Sequence, residues 1–331
     1  MMHALVDIDK VEVRSGTGKQ RDAALLALLD HLTTNGYDFV TPTPATQARV
    51  LERWKGRTGR SVRDVLGWSL PFVSGAVDTN IEELLWQAGV LVEEEGRLRS
   101  RIRVSRLKRQ LFIHSAYPTS AEDAVFFGPD SYRFSDLIEG ELQRLPCAPG
   151  SRILDIGTGS GVGAIIASRL ATDAEVFGTD INRHALSIAR INARAAGVDL
   201  HLVEGSNLAD VQGAFDLILA NPPYIIDPSK RAYRDGGGMH GGEVAVDMAR
   251  AALPRLSEAG RFILYTGSAI AEGRDSLRAA LQDAAGEYGC DLSYRELDPD
   301  VFGEELEQPA YADVERIAVV AAIFSDRASH A

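Results

Sequence analysis

Cysteine is scarce in this chain of 331 residues, which contains only Cys147 and Cys290. Two cysteines build no disulfide framework, and neither they nor the 7 histidines show the spacing of metal ligands. The sequence also lacks a run of about 18 apolar residues, as a membrane span requires, and its first residues lack the order of a secretory signal. These absences predict a cytoplasmic protein without a metal site.

Basic residues are fewer than acidic ones, and this difference is unevenly distributed along the chain. The chain has 35 Lys and Arg against 47 Asp and Glu, a net charge of −12. Residues 1–145 are nearly balanced, with 19 basic against 20 acidic residues, whereas residues 146–331 have 16 against 27. An acidic second half does not attract naked duplex DNA through its overall field. Any contact with nucleic acid would therefore depend on a local patch.

One such patch consists of four arginines at every second position, Arg97, Arg99, Arg101 and Arg103. The surrounding residues 98–104 alternate like a strand, on which the four side chains would share one face. No acid lies between residues 97 and 109. The pattern is typical of a solvated face that balances Glu93–Glu95, and the alternative is a wing that grips RNA phosphates or an acidic protein surface.

Two patterns divide the chain near residue 118. The first part has helical periodicity and then two short strands, predicted at residues 20–35, 44–56, 79–89, 98–104 and 111–114. Helices that end in a small hairpin resemble a winged helix. From residue 150 strands and helices alternate, which predicts that residues 119–331 form an α/β domain with a parallel, doubly wound sheet. Its strands are predicted at 151–156, 175–180, 199–203, 215–220 and 260–266.

The most informative motif is Asn221-Pro222-Pro223-Tyr224, which follows the apolar strand Phe215–Ala220. Two prolines cannot continue a central strand, because neither donates to the ladder. The motif therefore lies at the carboxyl end of a strand, where ligands bind in an open α/β sheet. There the Asn221 amide oxygen and the Pro222 carbonyl could accept both hydrogens of one planar NH2 group. The Tyr224 ring could pack on that group.

A glycine-rich turn, Gly157-Thr158-Gly159-Ser160-Gly161, follows an earlier strand. Its glycines let the backbone approach a ligand closely. The next strand ends in Asp180, about 20 residues after the turn, where an acid can accept hydrogen bonds from ribose hydroxyls. Asp180 could also cap the following helix.

The turn alone is ambiguous, because Gly159, Gly161 and Ala164 also satisfy the dinucleotide pattern G-x-G-x-x-G/A. Two features argue against a nicotinamide cofactor. Asp155 lies ahead of the glycines, where dinucleotide-binding strands usually stay apolar. A hydride-transfer enzyme also has no evident need for Asn-Pro-Pro-Tyr on a later strand.

Together these motifs resemble class I S-adenosylmethionine-dependent methyltransferases over roughly residues 125–324. They are most similar to the branch that methylates planar nitrogens, in protein glutamine or in adenine and guanine. The resemblance implies a seven-stranded Rossmann-like sheet that ends in an antiparallel pair, here 292–297 and 314–324. It also implies catalysis by Asn221, Pro222 and Tyr224. The cofactor contacts that it implies are Asp155, Gly157, Thr158, Gly159, Gly161, Asp180, Ile181, Ser206, Asn207 and Asn221.

Two features resemble the glutamine branch in particular, Tyr224-Ile225 and the glycine-rich stretch 236–243. Two others depart from it. Gly205-Ser206-Asn207 stands where that branch usually has Gly-Asp, and Phe126–Phe134 replaces its usual Pro-Arg-x-Glu-Thr segment.

The resemblance thus implies an N-methyltransferase that acts on a protein glutamine side chain, with residues 1–118 recognising the target. Three alternatives stay open: an exocyclic amine of adenine or guanine in RNA or DNA, a small-molecule amide or amine, and a binding module without activity. A module of that last kind would have lost the glycines or Asn-Pro-Pro-Tyr, and both motifs are intact.

Overall fold

The structure is a computed structural model that describes residues 18–205, 208–231 and 233–326. The chain divides into two compact units, Met1–Ser120 and Ala121–Ala331. Within the described ranges, no helix is both long and apolar enough to cross a lipid bilayer.

The first unit begins with helices. They are α1 (Gly18–Thr34), α2 (Pro44–Arg53), α3 (Val62–Leu66) and α4 (Thr79–Gln87). The Thr43 hydroxyl accepts a hydrogen bond from the Thr46 amide, and Pro44 occupies the first turn, so α2 begins with a favourable cap. Helix α1 buries one face of leucines and packs against α4.

Two separate hairpins complete this unit. Their strands are β1 (Leu91–Glu94), β2 (Arg97–Ser100), β3 (Ile102–Leu107) and β4 (Gln110–Ser115), paired β1 with β2 and β3 with β4. The single strand predicted over 98–104 is therefore wrong. At the break between β2 and β3, the Ser100 hydroxyl donates to the Ile102 carbonyl at 2.8 Å and accepts from the Ile102 amide, while the Arg101 amide donates to the Val90 carbonyl at 2.7 Å.

The break between β2 and β3 also separates the four arginines, so the prediction that they share one face is wrong. Arg97 and Arg101 are exposed, and Arg99 pairs with Glu94 at 3.4 Å. Arg103 is buried, and its Nε donates to the Gly67 carbonyl at 2.9 Å. A buried guanidinium that is held by backbone cannot join a common phosphate-binding face.

The second unit alternates helices and strands. Its helices are α5 (Pro129–Arg144), α6 (Val162–Leu170), α7 (Arg183–Ala196), α8 (Gly238–Gly241), α9 (Glu243–Ala252) and α10 (Ser276–Glu287). Its strands are β5 (Arg152–Ile156), β6 (Glu175–Asp180), β7 (His201–Glu204), β8 (Phe215–Ala220), β9 (Leu256–Ala271), β10 (Arg274–Asp275), β11 (Cys290–Asp298) and β12 (Val314–Asp326).

These strands form one sheet in the order β11-β12-β9-β8-β5-β6-β7, and the short β10 pairs with β9. Strands β5 to β9 run parallel, whereas β12 and β11 are antiparallel at one edge. The predicted doubly wound sheet with a terminal antiparallel pair is confirmed. The chain order reverses between β5 and β8, which is where a ligand crevice is expected at the carboxyl ends of the strands.

The central strands are fully buried, as expected for parallel strands that are covered on both faces. Ile153 and Leu154 on β5 and Leu217, Ile218 and Leu219 on β8 are each 0% exposed. Burial of this apolar run stabilises the middle of the sheet, so the strand ends at the switch point have a rigid support.

The Tyr224 ring packs directly on the β9 backbone at Gly267, where a Cβ would lie 2.0 Å from Tyr224 Cδ2. We predict that Gly267→Ala lowers the free energy of unfolding by roughly 1–3 kcal/mol, since the ring would have to move. The matched control is Gly140→Ala in α5, where no atom lies within 4 Å of the new Cβ and where alanine should stabilise by about 0.5–1 kcal/mol. Urea unfolding measures both, and equal midpoints would contradict the tight packing.

Candidate functional site

The glycine-rich turn connects β5 to α6. Gly157, Gly159 and Gly161 have φ angles of 67°, 57° and 86°, a region that side chains with a Cβ rarely adopt. The Thr158 amide donates to the Thr179 carbonyl at 2.9 Å and so ties the turn to β6. The sequence needs glycine here because the backbone reverses within five residues between a buried strand and a helix.

Asp155, on the strand that precedes the turn, fixes the turn through hydrogen bonds. Its carboxylate is buried, and Oδ2 accepts hydrogen bonds from the Thr158 hydroxyl at 2.7 Å and from the Ala164 amide at 2.9 Å. One side chain thereby fixes both the turn and the first residues of α6. Burial raises the pKa of Asp155 to about 7, against the opposing effect of its hydrogen bonds.

Asp180 holds the turn from the neighbouring strand. Its Oδ2 accepts from the Gly159 amide and its Oδ1 from the Asn182 amide, both at 2.9 Å. Asn182, and not Asp180, caps α7, because its side chain accepts from the His184 amide at 2.9 Å. Burial raises the pKa of Asp180, while the backbone hydrogen bonds oppose that effect.

Asn221 follows β8 on the other side of the switch point. Its side chain is half-buried and lines a cavity, and it makes no hydrogen bond to any of the described residues. The Pro222 carbonyl likewise has no donor within the described ranges. Two adjacent acceptors are therefore available to a ligand.

The cavity has a volume of about 320 Å³ and joins the carboxyl ends of β5, β6 and β8. Most of the predicted site residues line it: Asp155, Gly157, Thr158, Gly159, Asp180, Ile181, Asn221 and Pro222. Gly161 does not, since it forms the cap of α6 instead. Ser206 and Asn207 lie outside the described residues.

Tyr224 takes a position that differs from the expected stacking geometry. It is 6% exposed, packs on Gly267 and meets the Phe302 ring edge-on at 5.8 Å between centroids. It is absent from the cavity lining. Contact between this ring and an acceptor stays a prediction.

The glycine-rich stretch 236–243 packs against the end of the Asn-Pro-Pro-Tyr segment. The Gly236 amide donates to the Ile225 carbonyl at 2.9 Å, and a Cβ on Gly241 would lie 2.3 Å from the Tyr224 carbonyl oxygen. These glycines permit close approach of two backbones, which fixes the end of the Asn-Pro-Pro-Tyr segment.

Residues 138–281 match the methyltransferase small domain family. The release factor glutamine methyltransferase of Deinococcus radiodurans is 34% identical over 180 residues, which cover 51% of this chain and 61% of the relative. The protein of the same name from Moorella thermoacetica is 33% identical over 181 residues, 48% of this chain and 64% of the relative. The chain thus spans less than two thirds of the length of these relatives.

Among solved structures, the ribosomal protein L11 methylase of Lactobacillus delbrueckii subsp. bulgaricus is 24% identical. The match covers 59% of this chain and 80% of that protein, with a TM-score of 0.41.

The methyl donor indicated by these similarities is S-adenosylmethionine, and the cavity of the second unit fits it. A Cβ on Gly157 would meet only Met248 Cε, at 3.6 Å, so the space before the turn is open. Asp180 offers carboxylate oxygens that suit ribose hydroxyls. Beside it the apolar Ile181 is 54% exposed, as suits an adenine ring that packs against it.

Tyr233, which no sequence motif singles out, also lines the cavity. The Tyr233 hydroxyl accepts from Arg231 Nη1 at 3.1 Å. Arg231 in turn donates to both oxygens of the buried Asp227, at 2.6 and 2.7 Å. The spacing of four between Asp227 and Arg231 was a readable signal for the pair, but nothing in the sequence shows which ring reaches the cavity.

The raised pKa of Asp155 predicts a pH effect on stability. Asp155 keeps its proton in the folded state between about pH 4 and about pH 7, where the unfolded chain has lost it. Its contribution to stability is therefore complete below about pH 4 and is lost as the pH rises through about 7. Asp155→Asn should gain in thermal stability relative to the parent from pH 5 to pH 7.5. A difference that stays constant over this range would contradict the assignment, and the exposed substitution Asp283→Asn is the control for the loss of a carboxyl group.

Proposed function

We propose that this chain is an S-adenosylmethionine-dependent methyltransferase that acts on a planar nitrogen. The observation that carries the proposal is the pair of unsatisfied acceptors, Asn221 Oδ1 and the Pro222 carbonyl, in one cavity with the glycine turn and Asp180. A site that only bound a nucleoside would have no need for two acceptors at the end of β8.

The chemistry follows from the nitrogen. S-adenosylmethionine, when bound, supplies an activated methyl group on its sulfonium. An amide nitrogen is a poor nucleophile, because its lone pair is delocalised into the π system. By accepting both N–H hydrogens, Asn221 and Pro222 favour a geometry in which the lone pair points away from them. They also stabilise the positive charge that grows on the nitrogen.

A strong general base is not required, because the methylated nitrogen can lose its proton to water afterwards. The polar groups of the cavity accordingly hold the acceptor nitrogen and orient it toward the methyl group, and this orientation supplies much of the rate enhancement.

The acceptor that we propose is a glutamine side chain in a protein. The relatives named release factor glutamine methyltransferase support it, as do Tyr224-Ile225 and the glycine-rich stretch that packs against them. We further propose that residues 1–118 recognise the target. The second candidate is an exocyclic base amine, which the exposed cations of the first unit favour.

Methyl-labelled S-adenosylmethionine, incubated with the protein and a dialysed cell lysate, tests the proposal. Label that only protease releases supports the glutamine acceptor, and mass spectrometry then identifies the residue. Label that only ribonuclease releases would replace glutamine by a base amine. Absence of label, with the small molecules of the lysate restored as well, would contradict the activity.

Two substitutions should separate catalysis from cofactor binding. Asn221→Ala is expected to keep the affinity for S-adenosylmethionine and to lose on the order of 2–4 kcal/mol of transition-state stabilisation, measured as kcat/KM. Asp180→Ala is the contrasting variant and should lose cofactor binding, measured by calorimetry. Unchanged turnover in Asn221→Ala would remove this side chain from the mechanism.

Tyr233 is the aromatic ring of the 227–235 loop that lines the cavity, and we expect it to contact the acceptor. Tyr233→Ala should raise KM for the labelled protein about twofold to tenfold, with no change in cofactor affinity. Tyr233→Phe keeps the ring, loses only the hydroxyl that Arg231 contacts, and should stay within twofold of the parent. Equal losses in both variants would implicate the Arg231 contact and not the ring.

A further inference from the structure

A surface of the first unit carries six exposed cations that the proposed chemistry does not use: Arg49, Arg53, Lys55, Arg57, Arg60 and Arg63. We call these six residues the cationic face. Residues 39–77 contain only two acids, Glu52 and Asp64, and Asp64 is buried. Positive charge is thus segregated in this segment, although residues 1–145 as a whole are nearly neutral.

Neighbouring elements of the first unit carry these cations. Arg49 and Arg53 are four residues apart on α2 and therefore on the same side of the helix. After α2 the chain turns back, because Asp64 of α3 accepts from the Arg60 amide at 3.0 Å and pairs with Arg57 at 3.3 Å. The buried carboxylate thus brings the loop after α2 against α3.

Most of this positive charge is not neutralised locally. Lys55 pairs with Glu52 at 3.6 Å, but both side chains are more than three quarters exposed, so the pair contributes little. In the parts of the chain that the structure describes, Arg49, Arg53, Arg60 and Arg63 have no carboxylate within 4 Å. Unpaired exposed guanidinium groups leave a positive field outside this face.

Aromatic rings are interleaved with these cations. Trp54 and Trp68 are half-exposed and meet edge-on at 5.2 Å, and the Arg57 guanidinium lies 4.5 Å from the Trp54 ring. Arg63 lies 5.7 Å from the Phe39 ring. Clustered guanidinium groups with accessible rings are typical of surfaces that hold phosphates and stack bases. An acidic protein would need the charge but not the indoles.

We propose that the cationic face binds single-stranded nucleic acid. The arginines would contact the phosphate backbone, and Trp54 and Trp68 would stack against bases. The proposal concerns the first unit alone and does not depend on which nitrogen the second unit methylates. The proposed nucleic-acid surface thus differs from the arginines 97–103 that the sequence suggested, because the buried Arg103 cannot share a face with the others.

Binding of a fluorescein-labelled RNA of 20 nucleotides to the full chain, followed by anisotropy from 50 to 200 mM salt, tests this inference. The variant Arg53→Gln/Arg60→Gln/Arg63→Gln should weaken binding at least about tenfold at 50 mM salt. It should also reduce the slope of log K against log salt by about 2, because each lost phosphate contact in a single strand removes about 0.7. Trp54→Leu should weaken binding without a change in slope, since stacking releases no counterions.

The matched control is Arg97→Gln/Arg101→Gln/Arg109→Gln, which removes the same charge from exposed positions on the hairpins. This control should bind RNA within twofold of the parent, and circular dichroism should be the same for all variants. An equal loss in both triple variants would show a net-charge effect and overturn the proposal. Absence of RNA binding by the parent at 50 mM salt would also overturn it, as would equal competition by poly-glutamate and unlabelled RNA.

Discussion

The site depends on two buried or half-buried carboxylates that hold one glycine turn. Asp155 accepts from the Thr158 hydroxyl and the Ala164 amide, and Asp180 accepts from the Gly159 amide. The turn is therefore fixed from its own strand and from the next one. Two of these three hydrogen bonds come from backbone amides and the third from the short Thr158 side chain, so the turn keeps its shape without large side chains that would fill the cavity. Both acids are at least partly buried, which raises their pKa values, and the hydrogen bonds that they accept leave the cavity side of the turn open to the cofactor.

The segment Asn221–Tyr224 forms the other half of the site, and its two ends have different environments. Asn221 and Pro222 leave their acceptors in the cavity, whereas Tyr224 is buried on Gly267 of β9. The anchored ring fixes the segment, so the two acceptors need no hydrogen bonds of their own to stay in position. Tyr233, whose hydroxyl contacts Arg231, lines the cavity together with Phe126 and Phe134. Preorganisation of this kind is what a reaction at a weak nucleophile requires.

The first unit shows how tertiary contacts redistribute charge that looks regular in sequence. The arginines from Arg97 to Arg103 alternate in the sequence, but β2 ends at Ser100 and a new strand begins at Ile102. The buried Arg103 side chain donates to the Gly67 carbonyl. The buried Asp64 instead holds the loop that carries Arg57 and Arg60 against α3, although the spacing of these cations in the sequence is irregular. Two acids thus hold the glycine turn of the cavity, and a third holds the loop of the face proposed to bind nucleic acid.

By itself the sequence determined the sheet, the switch point and the two motifs that meet there. Apolar runs, glycines and paired prolines act locally, so the ends of β5, β6 and β8 could be predicted, together with Asp155, Asp180 and Asn221. Only the tertiary structure decided the rest. Whether Tyr224 or Tyr233 lines the cavity depends on which ring the β9 backbone can accept at Gly267, and that contact joins residues more than forty positions apart. Long-range packing of this kind leaves no periodic signal in the sequence.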